Sequence, residues 1–226
     1  MKKNERVNNI ILSIETSVQG GCISLLENNK ELDSWQGMGS ISKSDNILDE
    51  LSSLLTKNKI EKNQIGRIVI SRGPGSFTGM RIGLAIVLGL KKSLNCDICG
   101  VSVLEAMALK SENIDWNKNI IAAIPIGTMV CIQKIKIGQK RKLNKATIPY
   151  LVSIEKFIEQ LEDDLESNFV LHERLYKALL VNVQKGNQVV ERITSSGENL
   201  AYLVGLLGKE SCVSDDLQPI YIKTVT

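Results

Sequence analysis

Ser71-Arg72-Gly73-Pro74-Gly75-Ser76-Phe77-Thr78-Gly79-Met80-Arg81-Ile82-Gly83 joins two apolar stretches. Before it runs Ile65-Gly66-Arg67-Ile68-Val69-Ile70, a β-branched strand signal; after it the pattern predicts a helix over residues 78–90, ended by Lys91, Lys92 and Asn95. The segment is a strand-to-helix turn. Gly73 and Gly75 admit dihedrals closed to other residues, Pro74 fixes its own φ, and Ser76 stands where a hydroxyl oxygen accepts from an orphan helix amide. Gly79 and Gly83 sit one helical turn apart, each costing about 1 kcal/mol of helix propensity relative to Ala, so close approach of another backbone is the expected compensation. A glycine turn opening a helix also suits a phosphate. No Gly-Lys-Ser/Thr follows, however, and Gly73-x-Gly75-x-x-x-Gly79 misses the dinucleotide fingerprint by one residue. Gly73, Pro74, Gly75, Ser76, Gly79 and Gly83 therefore read as a packing turn.

Outward from this turn, residues 10–15, 21–27 and 30–35 predict three successive strands, the second pair joined by Asn28-Asn29. Residues 45–57 predict a helix whose Ile47, Leu48, Leu51, Leu54 and Leu55 follow the 3-and-4 spacing of one buried stripe. A strand at 97–101 and a helix from Ser102 complete the first half. The second half begins in the same way: Ile120-Ile121-Ala122-Ala123-Ile124 and its return through Met129-Val130-Cys131-Ile132 echo residues 10–17 and their return strand, with Ile135-Lys136-Ile137 and Gly138 as the next turn. This repeat predicts a duplicated lobe. Helices are expected at 153–165, 173–181 and 196–207, the last with a capping box from Ser195 to Glu198. The expected division is a first lobe over 1–109 and a second over 110–226, whose last helix is free to pack back on the first.

Composition excludes several classes. At 226 residues and 43% hydrophobic content the chain can fill one large core or two small ones. A net charge of +3 implies no strong polyanion partner, and the densest basic stretch, Lys134, Lys136, Lys140, Arg141, Lys142 and Lys145, reads as a solvated hairpin. The five scattered cysteines read as reduced thiols. Cys96-Asp97-Ile98-Cys99 lacks the second pair a zinc site needs. The longest apolar helical segment falls far short of the roughly 20 residues that span a bilayer. A cytoplasmic protein with no metal, no cofactor and no membrane association is the expectation.

Two βββαβα-type α/β lobes meeting at a cleft resemble the actin-like ATPase fold (ASKHA, ribonuclease H-like), in which the first hairpin of each lobe presents a carboxylate and small residues to nucleotide phosphates. The first lobe offers Glu15, Thr16 and Ser17 as a weak nucleotide contact. The second offers only Pro125, Ile126 and Gly127, with no acid. Metal-assisted phosphoryl transfer needs oxygen ligands for the cation, and half of that set is missing.

With Ile11-Leu12-Ser13-Ile14-Glu15-Thr16-Ser17 and Arg72-Gly73-Pro74-Gly75-Ser76-Phe77-Thr78-Gly79-Met80-Arg81-Ile82-Gly83, the chain resembles the TsaB (YeaZ) family. Gly100-Val101-Ser102-Val103-Leu104-Glu105-Ala106 and a terminal Pro219-Ile220-Tyr221-Ile222 extend the likeness. The resemblance implies an accessory subunit for threonylcarbamoyladenosine, the modified base beside the anticodon in tRNAs reading codons that begin with A. Catalysis there belongs to a paralogue, TsaD, with an HxxxH metal motif. Aligned on Gly100-Val101, its histidine positions fall here at Val103 and Met107, so the metallopeptidase suggested by older glycoprotease naming is not supported. The single histidine, His172, lies far along the second half. Family members carry an Asp-Ala-Arg-like tripeptide where this chain has Pro125-Ile126-Gly127.

What the resemblance implies is a partner surface made by the two first-lobe helices, which pair with the equivalent helices of TsaD or with a second copy of themselves. Ile47, Leu48, Leu51, Leu55, Met80, Leu84 and Val87 are its expected members, with Leu51 and Val87 most sensitive to charge, and Gly79 and Gly83 favouring close helix–helix approach. Other implied partners are the ATPase TsaE and, through the complex, tRNA. A non-catalytic scaffold is the first reading; a small-molecule kinase or ATPase of the actin-like fold is the alternative.

Overall fold

In the computed structural model, which describes residues 9–18, 20–37, 43–94, 96–110, 112, 114–138, 142–182, 192–197, 199–210 and 216–222, the chain builds two sheets of the same design. Expectations that fall on Asn95, Lys140, Arg141 and Glu198 lie outside the described residues. The first sheet uses β1 (Ile10–Glu15), β2 (Cys22–Glu27), β3 (Lys30–Gln36), β4 (Ile65–Ser71) and β5 (Asp97–Val101), in the order β3-β2-β1-β4-β5. β1 pairs antiparallel with β2 and parallel with β4. The second uses β6 (Ile120–Ile126), β7 (Met129–Ile137), β8 (Leu143–Ala146), β10 (Asn168–Leu171) and β11 (Ile193–Ser195), in the order β11-β10-β6-β7-β8, with β9 (Tyr150–Ser153) also on β7. Read from its hairpin edge, it repeats the first: an antiparallel meander, then two parallel strands. The duplication expected from the echo at Ile120 is therefore present in the topology.

Six helices fill the space around the sheets: α1 (Lys43–Lys57), α2 (Phe77–Leu94), α3 (Val103–Lys110), α4 (Ile154–Asp163), α5 (Glu173–Asn182) and α6 (Leu200–Glu210). Because side chains alternate along a strand, β1 sends Leu12 and Ile14 to one face and Ile11 and Ser13 to the other. The first set meets Ile47, Leu51, Leu54 and Leu55 of α1 and Val87 of α2. On the outer side of the second sheet, α4 and α5 bury Phe157, Leu161, Leu175 and Leu179 with Phe169, whose ring meets Phe157 edge-on at 6.3 Å. α3 and α6 form the layer between the sheets, and they cross over: α3 packs on β6, β7 and β10, whereas α6 packs on β1, β2 and β4. The result is an α–β–α–β–α stack with the actin-like plan.

α6 comes unusually close to the first sheet because two of its residues are glycine. A β-carbon at Gly205 would lie 2.6 Å from Leu26 Cδ1, and one at Gly208 only 2.3 Å from Val69 Cγ1. The spacing predicts a start for this helix at 196 with a cap at Ser195. Instead Asn199 caps α6, its Oδ1 accepting from the Tyr202 amide at 3.3 Å, while Ser195 sits in β11 and its hydroxyl donates to Glu173. β8 to β11 were not foreseen. They are only three or four residues long, and β8 has two adjacent polar residues at its centre, so alternation had little length in which to register.

The basic hairpin is solvated among the described residues: Lys134, Lys136, Lys142 and Lys145 are exposed, and Lys134 reaches Asp164 at 3.5 Å. Cys96 packs toward the α1/α2 side and Cys99 into the central layer, so strand alternation separates the pair. No described helix is long and apolar enough to cross a membrane.

The orientation of α2 is set by contacts of its glycines with the end of β1. The nearest neighbours of Gly83 are the end of β1 and β4 rather than the helix expected from the sequence: a β-carbon there would lie 2.2 Å from Thr16 Oγ1 and 3.1 Å from Ile70 Cδ1. Thr16 Oγ1 in turn donates to the Gly79 carbonyl at 2.8 Å. Gly83→Ala gains about 1 kcal/mol of helix propensity but overpacks this contact at a cost of roughly 1–3 kcal/mol. A lower Tm is expected, with a smaller loss in a Thr16→Ala background, where the obstructing hydroxyl is gone; equal losses in both backgrounds would contradict the contact.

α1 is tied down at its end by Asp33, which binds Lys57 Nζ at 2.7 Å and Asn58 Nδ2 at 2.8 Å. The hydrogen bond from Lys57, then that from Asn58, hold its carboxyl below the usual carboxylate range. A carboxyl depressed in the folded state stabilises above its unfolded value, near about 4, and that contribution is lost as pH falls through the folded value. Asp33→Asn should therefore flatten the acid side of a Tm-versus-pH curve below about pH 4; parallel curves for the two proteins would refute the assignment.

Candidate functional site

The first place to look is the turn after β1, where the fold's nucleotide chemistry would begin. Glu15, Thr16 and Ser17 are all within 2% of complete burial. The Glu15 carboxylate closes its own turn, accepting from the Ser17 amide at 2.5 Å, the Ser17 hydroxyl, and the Val18 amide at 3.1 Å. These donors satisfy a charge that burial would otherwise make costly. The glycine turn then sits directly on top. The Ser76 amide donates to the Ser17 carbonyl at 2.7 Å, and a β-carbon on Gly75 would lie 2.3 Å from that same oxygen. Gly73, at φ +89°, leads into a cis bond to Pro74, and a β-carbon on it would strike Met80 Sδ at 2.3 Å. Glu15, Thr16 and Ser17, expected as a weak nucleotide contact, are thus buried, with Gly75 packed on the Ser17 carbonyl. The reading of residues 73–76 as a packing turn fits, and the Ser76 Oγ accepts from the Gly79 amide at 3.2 Å as its N-cap position requires.

The positions expected to align with the histidines of TsaD are also buried. Val103 and Met107, on α3, are completely buried in the central layer. Neither side chain can ligate a hard or borderline metal, and no group of three or more His, Cys, Asp or Glu among the described residues could hold one. His172 is 4% exposed; its Nδ1 accepts from the Arg174 amide at 3.3 Å, which spends it on the start of α5. At the tip of the second lobe's hairpin, Pro125 and Ile126 are half-buried and Gly127 is exposed with φ +60°.

What the first lobe leaves open is the outer side of α1 and α2. Of the seven expected interface residues, Ile47, Leu51, Leu55, Met80 and Val87 are buried within the chain itself. Spacing identified an apolar stripe correctly but assigned the inner face to the partner. Leu48, at 51% exposure, points outward, and Leu84 is half-buried, packed against the core at its inner edge. Leu88, at 53%, joins them, with Ala85 beside it. α2 runs Phe77, Arg81, Leu84, Ala85, Leu88, Lys92 along its outer side, a helical 4-3-1-3-4 spacing. α1 adds Leu48, Ser52 and Thr56. Its buried stripe supplies cover for α2 on one side only.

Burial also isolates Glu105 at the start of α3. Removal from water pushes its carboxyl up, and the neighbouring Arg72 guanidinium pulls it back. Arg72 itself is one of the residues that sequence reasoning passed over. It ion-pairs with Asp216 and donates to the Gln218 carbonyl at 3.4 Å, binding a returning C-terminal segment to the glycine turn. The only signal for this was its place inside the turn motif.

Against this geometry stand the relatives. The family model for TsaD, tRNA N6-adenosine threonylcarbamoyltransferase, matches residues 40–131. The "tRNA threonylcarbamoyladenosine biosynthesis protein TsaB" of Haemophilus influenzae is 26% identical over 162 residues, 68% of each chain. Proteins of the same description match from Buchnera aphidicola of Acyrthosiphon pisum, 33% identical over 52% of this chain and 53% of that protein, and from Escherichia coli, 32% identical over 50% and 49%. The chain thus matches two thirds of the first of these relatives and about half the length of the others. YeaZ from Pseudomonas aeruginosa superposes with a TM-score of 0.66 at 20% identity, over 95% of this chain and all of that one, and fixes the fold. By the glycine-turn motif, the duplicated sheets and these likenesses together, the chain is similar to the TsaB (YeaZ) proteins.

Proposed function

We propose that this chain is a non-catalytic docking partner of TsaD in the pathway that places threonylcarbamoyl on the adenosine beside the anticodon of tRNAs reading codons that begin with A. The observation that carries the reading is at α3. Where TsaD's metal-binding histidines fall in alignment, this chain has Val103 and Met107, both sealed in the core. A protein that keeps the fold but has filled its metal positions with packing residues contributes by shape and surface. The surface it offers is the outer side of α1 and α2, with Leu48, Leu84 and Leu88 as its apolar members. TsaE and tRNA then meet the chain through the complex, in the cytoplasm, and a second copy occupies the same helices when TsaD is absent.

The TsaD-family match over residues 40–131 supports the choice of partner, because it covers both helices. Two relatives with equivalent helix pairs can meet in a nearly two-fold arrangement, each presenting the same elements to the other. The kinase or ATPase alternative has no observation in its favour, since Glu15 is consumed by its own turn and the second hairpin carries no acid.

Purified chain and the TsaD of the same organism should co-elute as a heterodimer at micromolar concentration. Leu88→Asp should weaken that complex on the order of a hundredfold or more without altering Tm, because a charge is placed in a desolvated apolar contact. Val87→Asp should instead unfold the chain, since Val87 is completely buried. A Leu88→Asp protein that binds as tightly as the parent removes α2 from the interface. Chelator treatment should leave the Tm of the isolated chain unchanged; a drop would reveal a structural metal and contradict the filled positions.

A further inference from the structure

Residues 216–222 run back over the glycine turn. Arg72 holds this segment through Asp216 and the Gln218 carbonyl, and the Ile220 amide donates to the Arg72 carbonyl at 2.8 Å. Leu217 packs against the core under α1 and α2, and Ile222 against the central layer. These contacts fasten the segment. They also deliver Tyr221 to the start of α2, where its ring centroid lies 5.7 Å from that of Phe77 at a tilt of 39°. On Phe77 rests the Arg81 guanidinium, 3.8 Å from the ring centroid.

This cluster is not needed to close the fold. Phe77 is 46% exposed and Tyr221 56%, so the ring pair buries little, whereas Arg72, Leu217 and Ile222 already hold the strap. Arg81 has no carboxylate partner among the described residues, and α2 carries Arg81, Lys91 and Lys92 with no acid along its length. Two aromatic rings and an arginine, exposed together and already held in place, are the residue types that dominate binding energy at interfaces. They continue the outward line of Leu84 and Leu88 along the same helix.

We propose that Phe77, Arg81 and Tyr221 form the anchor of the docking face, and that they receive an amphipathic helix of the partner bearing a carboxylate opposite Arg81. The proposal rests on the docking reading above and adds which end of the face carries the affinity and what chemistry the partner presents there. Exclusion of water on docking strengthens both the cation–ring contact and the new ion pair, and Arg81 need not leave Phe77 to make it. The C-terminal segment thereby becomes part of the interface: it supplies Tyr221 and fixes it.

The test is calorimetric titration of the TsaD from the same organism with four proteins: parent, Leu88→Asp, Tyr221→Ala and Arg81→Glu, each checked for an unchanged Tm. Tyr221→Ala and Arg81→Glu should each weaken binding roughly ten- to hundredfold. Raising salt to about 0.5 M should weaken the parent more than Arg81→Glu, because only the parent has the ion pair to lose. If Leu88→Asp abolishes binding while Tyr221→Ala and Arg81→Glu stay within about twofold of the parent, the anchor is wrong and the docking face stands. If Leu88→Asp binds like the parent, the docking face falls and the anchor with it.

Discussion

The contact between the glycine turn and the end of β1 governs the first lobe. Gly75 lies on the Ser17 carbonyl, Gly83 lies on Thr16, and Thr16 Oγ1 reaches the Gly79 carbonyl. Two absent side chains thus let a helix start against a strand end at a distance no other residue tolerates. The consequence for α2 is a narrow inner face, Gly79, Met80, Gly83 and Val87, on a helix that is apolar nearly all round. The rest of its apolar surface has to be covered by α1 or face outward, and α1 covers one side.

That same closeness closes the turn after β1 on itself. Here Glu15 is turned back on its own amides and roofed by Gly75, while at α3 the positions that could hold a metal are Val103 and Met107. The interlocked last helices add a second constraint. α6 lies on the first sheet through Gly205 and Gly208 and α3 on the second, so the two lobes share one central core and behave as a single packed body.

Much of this was legible in the sequence. The strand-turn-helix at residues 65–83, the first three strands and the duplicated order follow from periodicity and from turn residues whose dihedrals only Gly and Pro supply. What spacing does not encode is which neighbour fills a given side. Ile47, Leu51, Leu55, Met80 and Val87 satisfy the same 3-and-4 pattern whether they face their own chain or a partner, and all five are buried within the chain, four of them in the core under α1 and α2 and Met80 beside Gly73. Gly79 and Gly83 had the spacing of a helix–helix contact but serve a strand end. The reverse error applied to α6, where Gly205 and Gly208 carried a similar signal and were not read. The strap at 216–222 has neither period nor turn motif; its place is fixed by Arg72 and by two apolar side chains far away in sequence.

The role proposed for this chain is to contribute surface and leave the chemistry to TsaD. Reconstituted transfer of threonylcarbamoyl to tRNA, measured with TsaD and TsaE while this chain is titrated in, tests that most directly. No transfer by the chain alone, and a rate that rises with added chain and saturates at equimolar TsaD, is the predicted result. Transfer by the chain in a preparation free of TsaD would contradict it.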